Sequence, residues 1–126
     1  MWSKTRRCRC AALFACAAWL LPGLALGQST NKVEEAAALS TVAAAKAKAG
    51  EYKLCADMFV QAYKLDPSYL GYLYSAARCS QKAGDRDGAE RGYRAFLARA
   101  PAEHPLRSRA TDHLAEIVKK REGEAS

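Results

Sequence analysis

The stretch AAALSTVAAAKAKAGEYKLCADMFVQAYKLDPSY, residues 36–69, is followed at once by LGYLYSAARCSQKAGDRDGAERGYRAFLARAPAE, residues 70–103, and the two align position for position. Lys48-Ala49-Gly50 returns as Lys82-Ala83-Gly84. The same offset of 34 residues joins Leu39 to Leu73, Ala43 to Ala77, Phe59 to Tyr93, Ala62 to Phe96 and Pro67 to Pro101. A period of this length marks a supersecondary unit that cannot bury its apolar face alone and stacks on a copy of itself.

Helix signals punctuate each unit in the same places. Asn31, three residues before Glu34, has the spacing of an N-cap, and an alanine-rich run of high helix propensity follows from Val33 to Ala49. Gly50 then supplies the left-handed residue that closes a helix. A second helix is predicted from Glu51 to Leu65, because Tyr52, Cys55, Phe59, Ala62 and Tyr63 recur at three- and four-residue steps before Asp66-Pro67 ends the run. In the second unit the corresponding helices are Ser68 to Ala83 and Asp85 to Ala100, with Asp85 and Asp87 as first-turn acids. No segment alternates as a strand does. The sequence therefore predicts an all-α chain.

These positions resemble the tetratricopeptide repeat (TPR) family. Its small residue on the first helix, hairpin glycine, second-helix alanine, aromatic, second alanine and closing proline are matched by Ala43, Gly50, Cys55, Phe59, Ala62 and Pro67, and again by Ala77, Gly84, Ala89, Tyr93, Phe96 and Pro101. The chain departs from the pattern at Leu39 and Leu73, where tryptophan is usual, at Lys46 and Ser80, where tyrosine is usual, and at Cys55 and Phe96, which replace alanine. Phe96 is the largest departure and calls for extra room where two helices approach closely. The resemblance implies a short α-solenoid with a lead-in over 28–35, repeats over 36–69 and 70–103, a capping helix over 104–121 and a flexible tail over 122–126. Pro105 is the expected first residue of the capping helix, and Leu106, Ala110, Leu114, Ile117 and Val118 form its apolar stripe.

The resemblance also implies a function, that of a non-enzymatic scaffold binding a protein or peptide in a groove lined by the first helix of each repeat. Its groove positions fall on Ala37, Ser40, Ala44, Ala47 and Lys48, and on Gly71, Tyr74, Arg78, Gln81 and Lys82. Lys48, Tyr74, Arg78, Gln81 and Lys82 are the candidate partner-binding residues. Arg78 suits a bidentate carboxylate pair and Tyr74 an apolar contact, which favours an acidic partner. Members that clamp a chaperone's C-terminal carboxylate carry lysine and asparagine where this chain has Ser40 and Ala44, so that clamp is not expected. Cys55 and Cys79 fall on neighbouring helices of such a stack, which makes a disulfide between them possible; two buried free thiols are the alternative. The competing functional reading is a structural subunit that self-associates through an open repeat edge or through the last helix.

The remaining signals concern destination and chemistry. Lys4, Arg6, Arg7 and Arg9 precede an apolar run from Cys10 to Leu21, and Pro22-Gly23 and the small-residue pattern Ala25-Leu26-Gly27 follow, the order of a secretory signal peptide over 1–27. The run is shorter than the roughly 20 residues that span a bilayer, so no stable membrane span is expected after cleavage. Leu13-Phe14-Ala15-Cys16 offers lipidation at Cys16 as a second route. It fits less well, because Phe14 is bulky and the apolar run continues through Trp19 and Leu20. The formal charge of +7 over 126 residues falls to +3 without the leader, with sixteen basic against thirteen acidic side chains. Export and this modest balance argue against a nucleic-acid partner and for a periplasmic or secreted protein. The mature cysteines are 24 residues apart, His104 and His113 are the only histidines, and no phosphate loop, metal motif or nucleophile motif is present, so no cofactor is expected. His113 is expected at a helix interface.

Overall fold

The protein is described by a computed structural model whose backbone is defined from Leu24 and whose side chains are defined from Thr30 to the C-terminus. The expected leader up to residue 23, with Cys8, Cys10 and Cys16, lies outside the described residues. Among the described residues the chain is all-helical, with α1 (Leu24–Lys48), α2 (Tyr52–Leu65), α3 (Gly71–Lys82), α4 (Arg86–Arg99) and α5 (Arg107–Ala125), and without strands. No described helix is long and apolar enough to cross a membrane.

Short connections make each helix pack on its neighbour in the chain, and consecutive helices run antiparallel. Ala36 midway along α1 is buried with Ala62 late in α2 and Tyr72 at the start of α3. Cys55 at the start of α2 is joined to Cys79 at the end of α3, with Cα atoms 5.9 Å apart. Arg86 at the start of α4 pairs with Glu124 at the end of α5.

The two lysine-alanine-glycine turns are built alike. Gly50 and Gly84 have φ of 80° and 82°. The amide of Gly50 donates to Ala47 O (3.1 Å) and that of Glu51 to Lys46 O (2.9 Å); Gly84 donates to Gln81 O (3.2 Å) and Asp85 to Ser80 O (3.0 Å). This is the Schellman closure, in which a left-handed residue lets two amides beyond the helix satisfy its last carbonyls. Glycine is needed because a Cβ disfavours that conformation. The units differ at the next helix start. Asp85 Oδ1 accepts from the Gly88 amide at 2.9 Å, whereas Glu51 makes no side-chain cap.

Four boundaries depart from the sequence-based expectation. α3 begins at Gly71 and not at Ser68, whose amide donates to Asp66 Oδ1 at 3.2 Å in a turn ahead of the helix. The first helix does not begin at Asn31 but runs through it, because a single polar residue inside a helix costs only a few tenths of a kcal/mol and neither glycine nor proline interrupts residues 28–48. The expected cut after Gly27 falls within the first turns of this helix. Pro105 is not the first residue of α5. His104 donates its amide to Pro101 O and Arg107 to His104 O, both at 3.0 Å, so successive turns occupy the connection. Arg107 then fixes it, donating from Nη1 to Leu97 O (2.8 Å) and Ala100 O (2.6 Å), the otherwise open carbonyls at the end of α4. Finally, residues 122–125 continue α5 and are not a free tail. Glu124 pairs with Arg86, and Arg121 pairs with Asp87 and with Glu90 (2.6 Å), which staples the last turns of α5 to the first turns of α4.

The main core lies between α3, α4 and α5, where Tyr93 and Phe96 are fully buried against Ala77, Ala89, Ala110 and Ile117. Phe96 causes no misfit. One turn away α3 and α4 come close, and a Cβ on Gly92 would lie 2.8 Å from the Ala77 Cβ. Phe96 instead fills the widening space beside Ala110, edge-on to Tyr74 (5.8 Å) and His104 (5.1 Å). The first unit has a thinner core of Ala36, Ala62 and Tyr72, supplemented by Cys55, Ala56 and Cys79.

Candidate partner-binding cleft

The offset of 34 residues places Ser40, Ala44, Ala47 and Lys48 of α1 where α3 has Tyr74, Arg78, Gln81 and Lys82. The consequence is steric. On α3 the large side chains reach the following helix pair: Tyr74 packs edge-on to Tyr93 (6.0 Å) and Phe96, and lies 6.3 Å from the ring of His113. On α1 the small side chains stop short of α3, leaving a cleft whose floor is Phe59 of α2. Phe59 is half-buried, while its counterpart Tyr93 is sealed.

The cleft has two adjoining bays that share Ala44, Lys48, Phe59 and Ser75. One, of about 350 Å³, is bounded by Ala47, Tyr74, Arg78, Cys79 and Lys82. The other, of about 540 Å³, is bounded by Ser40, Thr41, Ala45, Tyr69 and Tyr72. Neither bay is lined by a carboxylate. Four of the five residues singled out from the sequence, Lys48, Tyr74, Arg78 and Lys82, therefore meet around one space.

Gln81 is placed differently. It does not line the cleft but stands behind it, its Oε1 accepting from the Tyr93 hydroxyl (2.8 Å) and from Arg78 Nη1 (3.0 Å). It fixes the guanidinium instead of meeting a ligand. Among the described residues no carboxylate lies within ion-pair distance of Arg78. Its charge is felt by its neighbours all the same. Burial pushes the Tyr93 hydroxyl up to about 12, against the opposing pull of Arg78. Burial, reinforced by Arg78, lowers His113 below the usual imidazole value, while Glu116 and Asp112 act the other way. His113 stacks on Tyr93 at 5.6 Å, the helix-interface position expected for it. Lys82 Nζ sits 5.4 Å over the Tyr52 ring, a cation–π contact with a residue outside the cleft.

Sequence reasoning did not single out Phe59 as a cleft residue, because its spacing reads equally well as core. Nor did it single out Ser75, Tyr69 or Thr41, whose facing depends on how α1 and α3 diverge. The sulfurs of Cys55 and Cys79 are bonded, and Cys79 forms part of the cleft wall. No group of three or more potential metal-ligating side chains occurs among the described residues.

Fold and cleft together define an all-helical protein with a cation-rimmed cleft between α1 and α3. No family model, curated protein or solved structure matches the chain.

Proposed function

We propose that this protein is an exported scaffold of the bacterial cell envelope with a short TPR-type solenoid, and that its work is to hold a segment of another protein in the cleft between α1 and α3. The observation that carries this reading is the convergence of Lys48, Tyr74, Arg78 and Lys82 on one open space with a half-buried aromatic floor and no lining acid. A half-buried aromatic floor offers the apolar contact on which peptide affinity rests, and an Arg fixed by a neutral acceptor keeps its remaining donors for a carboxylate. The paired turns at Gly50 and Gly84 support the repeat, and the Cys55–Cys79 bridge supports export, since such bonds persist in oxidising compartments.

The test is a crosslinking pull-down of the full chain from its own envelope. Arg78→Ala with Lys82→Ala is expected to remove the captured partner, and undiminished capture would refute the reading.

A second reading, self-association, draws on the exposure of Val33, Val42, Leu54, Val60 and Tyr69, all ahead of α3. Sedimentation over a range of concentrations separates the two, because an assembling subunit gains mass with concentration and a scaffold stays monomeric.

A further inference from the structure

The two bays of the cleft are chemically unlike, and their order along α3 is fixed. At the Gly50 and Gly84 end the walls carry the three cations Lys48, Arg78 and Lys82. At the opposite end, beyond Lys48, which lines both bays, they carry Tyr69, Tyr72, Ser40 and Thr41, uncharged side chains with two aromatic rings. Tyr69 is 58% exposed and meets Tyr72 edge-on at 4.7 Å, so its ring is presented at the mouth of the aromatic bay and not absorbed into the core. Phe59 joins the two bays.

We infer that the cleft reads a bipartite protein segment in one orientation, with carboxylates against Arg78 and an aromatic or large aliphatic side chain against Tyr69 and Tyr72. The inference rests on the partner-binding reading above and adds the chemistry and polarity of the partner. Charge complementarity commits one end. Three cations without a lining acid repel a basic segment and leave an uncharged one with unsatisfied donors, whereas a carboxylate meets the planar guanidinium two-pronged. Area commits the other end, since an aromatic ring or leucine laid on Tyr69 and Phe59 removes apolar surface from water on both partners.

The spacing follows from helix geometry. Tyr72 and Arg78 are six positions apart, about 9 Å along the α3 axis at a rise of ~1.5 Å per residue. An extended segment covers that distance in about three residues at ~3.3 Å each.

Gln81 and Tyr93 act as positioning residues. Gln81 holds Nη1 and the Tyr93 hydroxyl holds Gln81, which leaves the other guanidinium nitrogens for the cleft, so removing the Tyr93 hydroxyl should weaken acid recognition without touching the ligand.

A fluorescently labelled, end-blocked peptide Glu-Glu-Ala-Ala-Phe-Leu is the probe, with Gln-Gln-Ala-Ala-Phe-Leu, Lys-Lys-Ala-Ala-Phe-Leu and Glu-Glu-Ala-Ala-Ala-Ala as controls, titrated by anisotropy against the full chain. We expect the acidic bipartite probe to bind at least tenfold more tightly than each control. Arg78→Gln should erase its advantage over the Gln-Gln peptide only, and Tyr69→Ala its advantage over the Ala-Ala peptide only. Tyr93→Phe should reduce the first advantage severalfold and leave the second unchanged. If the probes bind but Arg78→Gln weakens the acidic and amide peptides equally, the polarity is wrong while the cleft reading stands. If no probe binds and the cleft variants also leave partner capture intact, the cleft reading itself falls.

Discussion

Phe59 and Tyr93 occupy the same place in two copies of one unit, yet one floors an open cleft and the other is sealed in the core. What differs is the helix in front. Before Phe59 stand Ser40, Ala44 and Ala47, and before Tyr93 stand Tyr74, Arg78 and Gln81, with His113 of α5 stacked on the far side. Cohesion differs in the same sense. The second unit is held by a continuous aromatic and aliphatic core from Ala77 to Ile117, the first by small residues, Tyr72 and a disulfide to α3. A unit that leaves a cleft open gives up core, and a covalent bond offsets the loss.

The largest effect that would test this contrast is at Phe96. Phe96→Ala empties the centre of the second unit and should cost about 4 kcal/mol, measured by urea unfolding, whereas Phe59→Ala at the half-exposed floor should cost well under half as much. Equal losses would break the comparison.

Next in size is the bridge. Replacing Cys55 and Cys79 by alanine opens a 24-residue separation and should cost about 3 kcal/mol on chain-entropy grounds. Hydrogen exchange should show the loss of protection falling first on α1 and α2. Loss spread evenly over all five helices would show that the first unit is not the weaker one.

Gly50→Ala and Gly84→Ala force a Cβ into a left-handed backbone with open space around it, so each should cost about 1 kcal/mol, and equally, since the turns are alike. A marked difference would separate the two units at the one place where they coincide.

A smaller effect attaches to pH. His113 has its folded value held below 6.5 by burial and by Arg78. As pH falls below that ordinary value the unfolded chain takes up a proton that the folded chain resists, so stability drops until pH passes the folded value. Between about pH 7 and 5, where carboxylates stay largely ionised, His113→Gln should flatten this decline. The smallest effect belongs to Arg121→Ala, which removes an exposed pair to Asp87 and a second pair to the partly buried Glu90, whose carboxylate keeps Arg94; the unfolding midpoint should shift slightly and less in high salt.

The repeat and its turns were legible in the sequence because glycine at a helix end has one strong physical meaning, and α2 and α4 lie within a residue of the expected bounds. The two misplaced ends of α5 depend on distant partners. Pro105 reads locally as a start, but Arg107 satisfying Leu97 and Ala100 holds the chain in turns past it. The tail reads as free until Arg86 and Asp87 are found beside Glu124 and Arg121. Of the candidate site, the charged rim was legible from the first-helix positions of each unit. Gln81 was not, because periodicity gives a residue's face on its own helix and cannot tell a cleft from the neighbour that supports it. The bays themselves were not legible, since they arise from the divergence of α1 and α3 over small side chains.

The central claim is that the small residues of α1 keep a binding cleft open, and Ala44→Trp tests it most directly. Ala44 is exposed and borders both bays, so a large ring there should fill the space without entering the core. The account predicts that Ala44→Trp leaves the thermal midpoint unchanged and lowers affinity for the Glu-Glu-Ala-Ala-Phe-Leu peptide at least tenfold. Undiminished binding by a folded Ala44→Trp protein would contradict it.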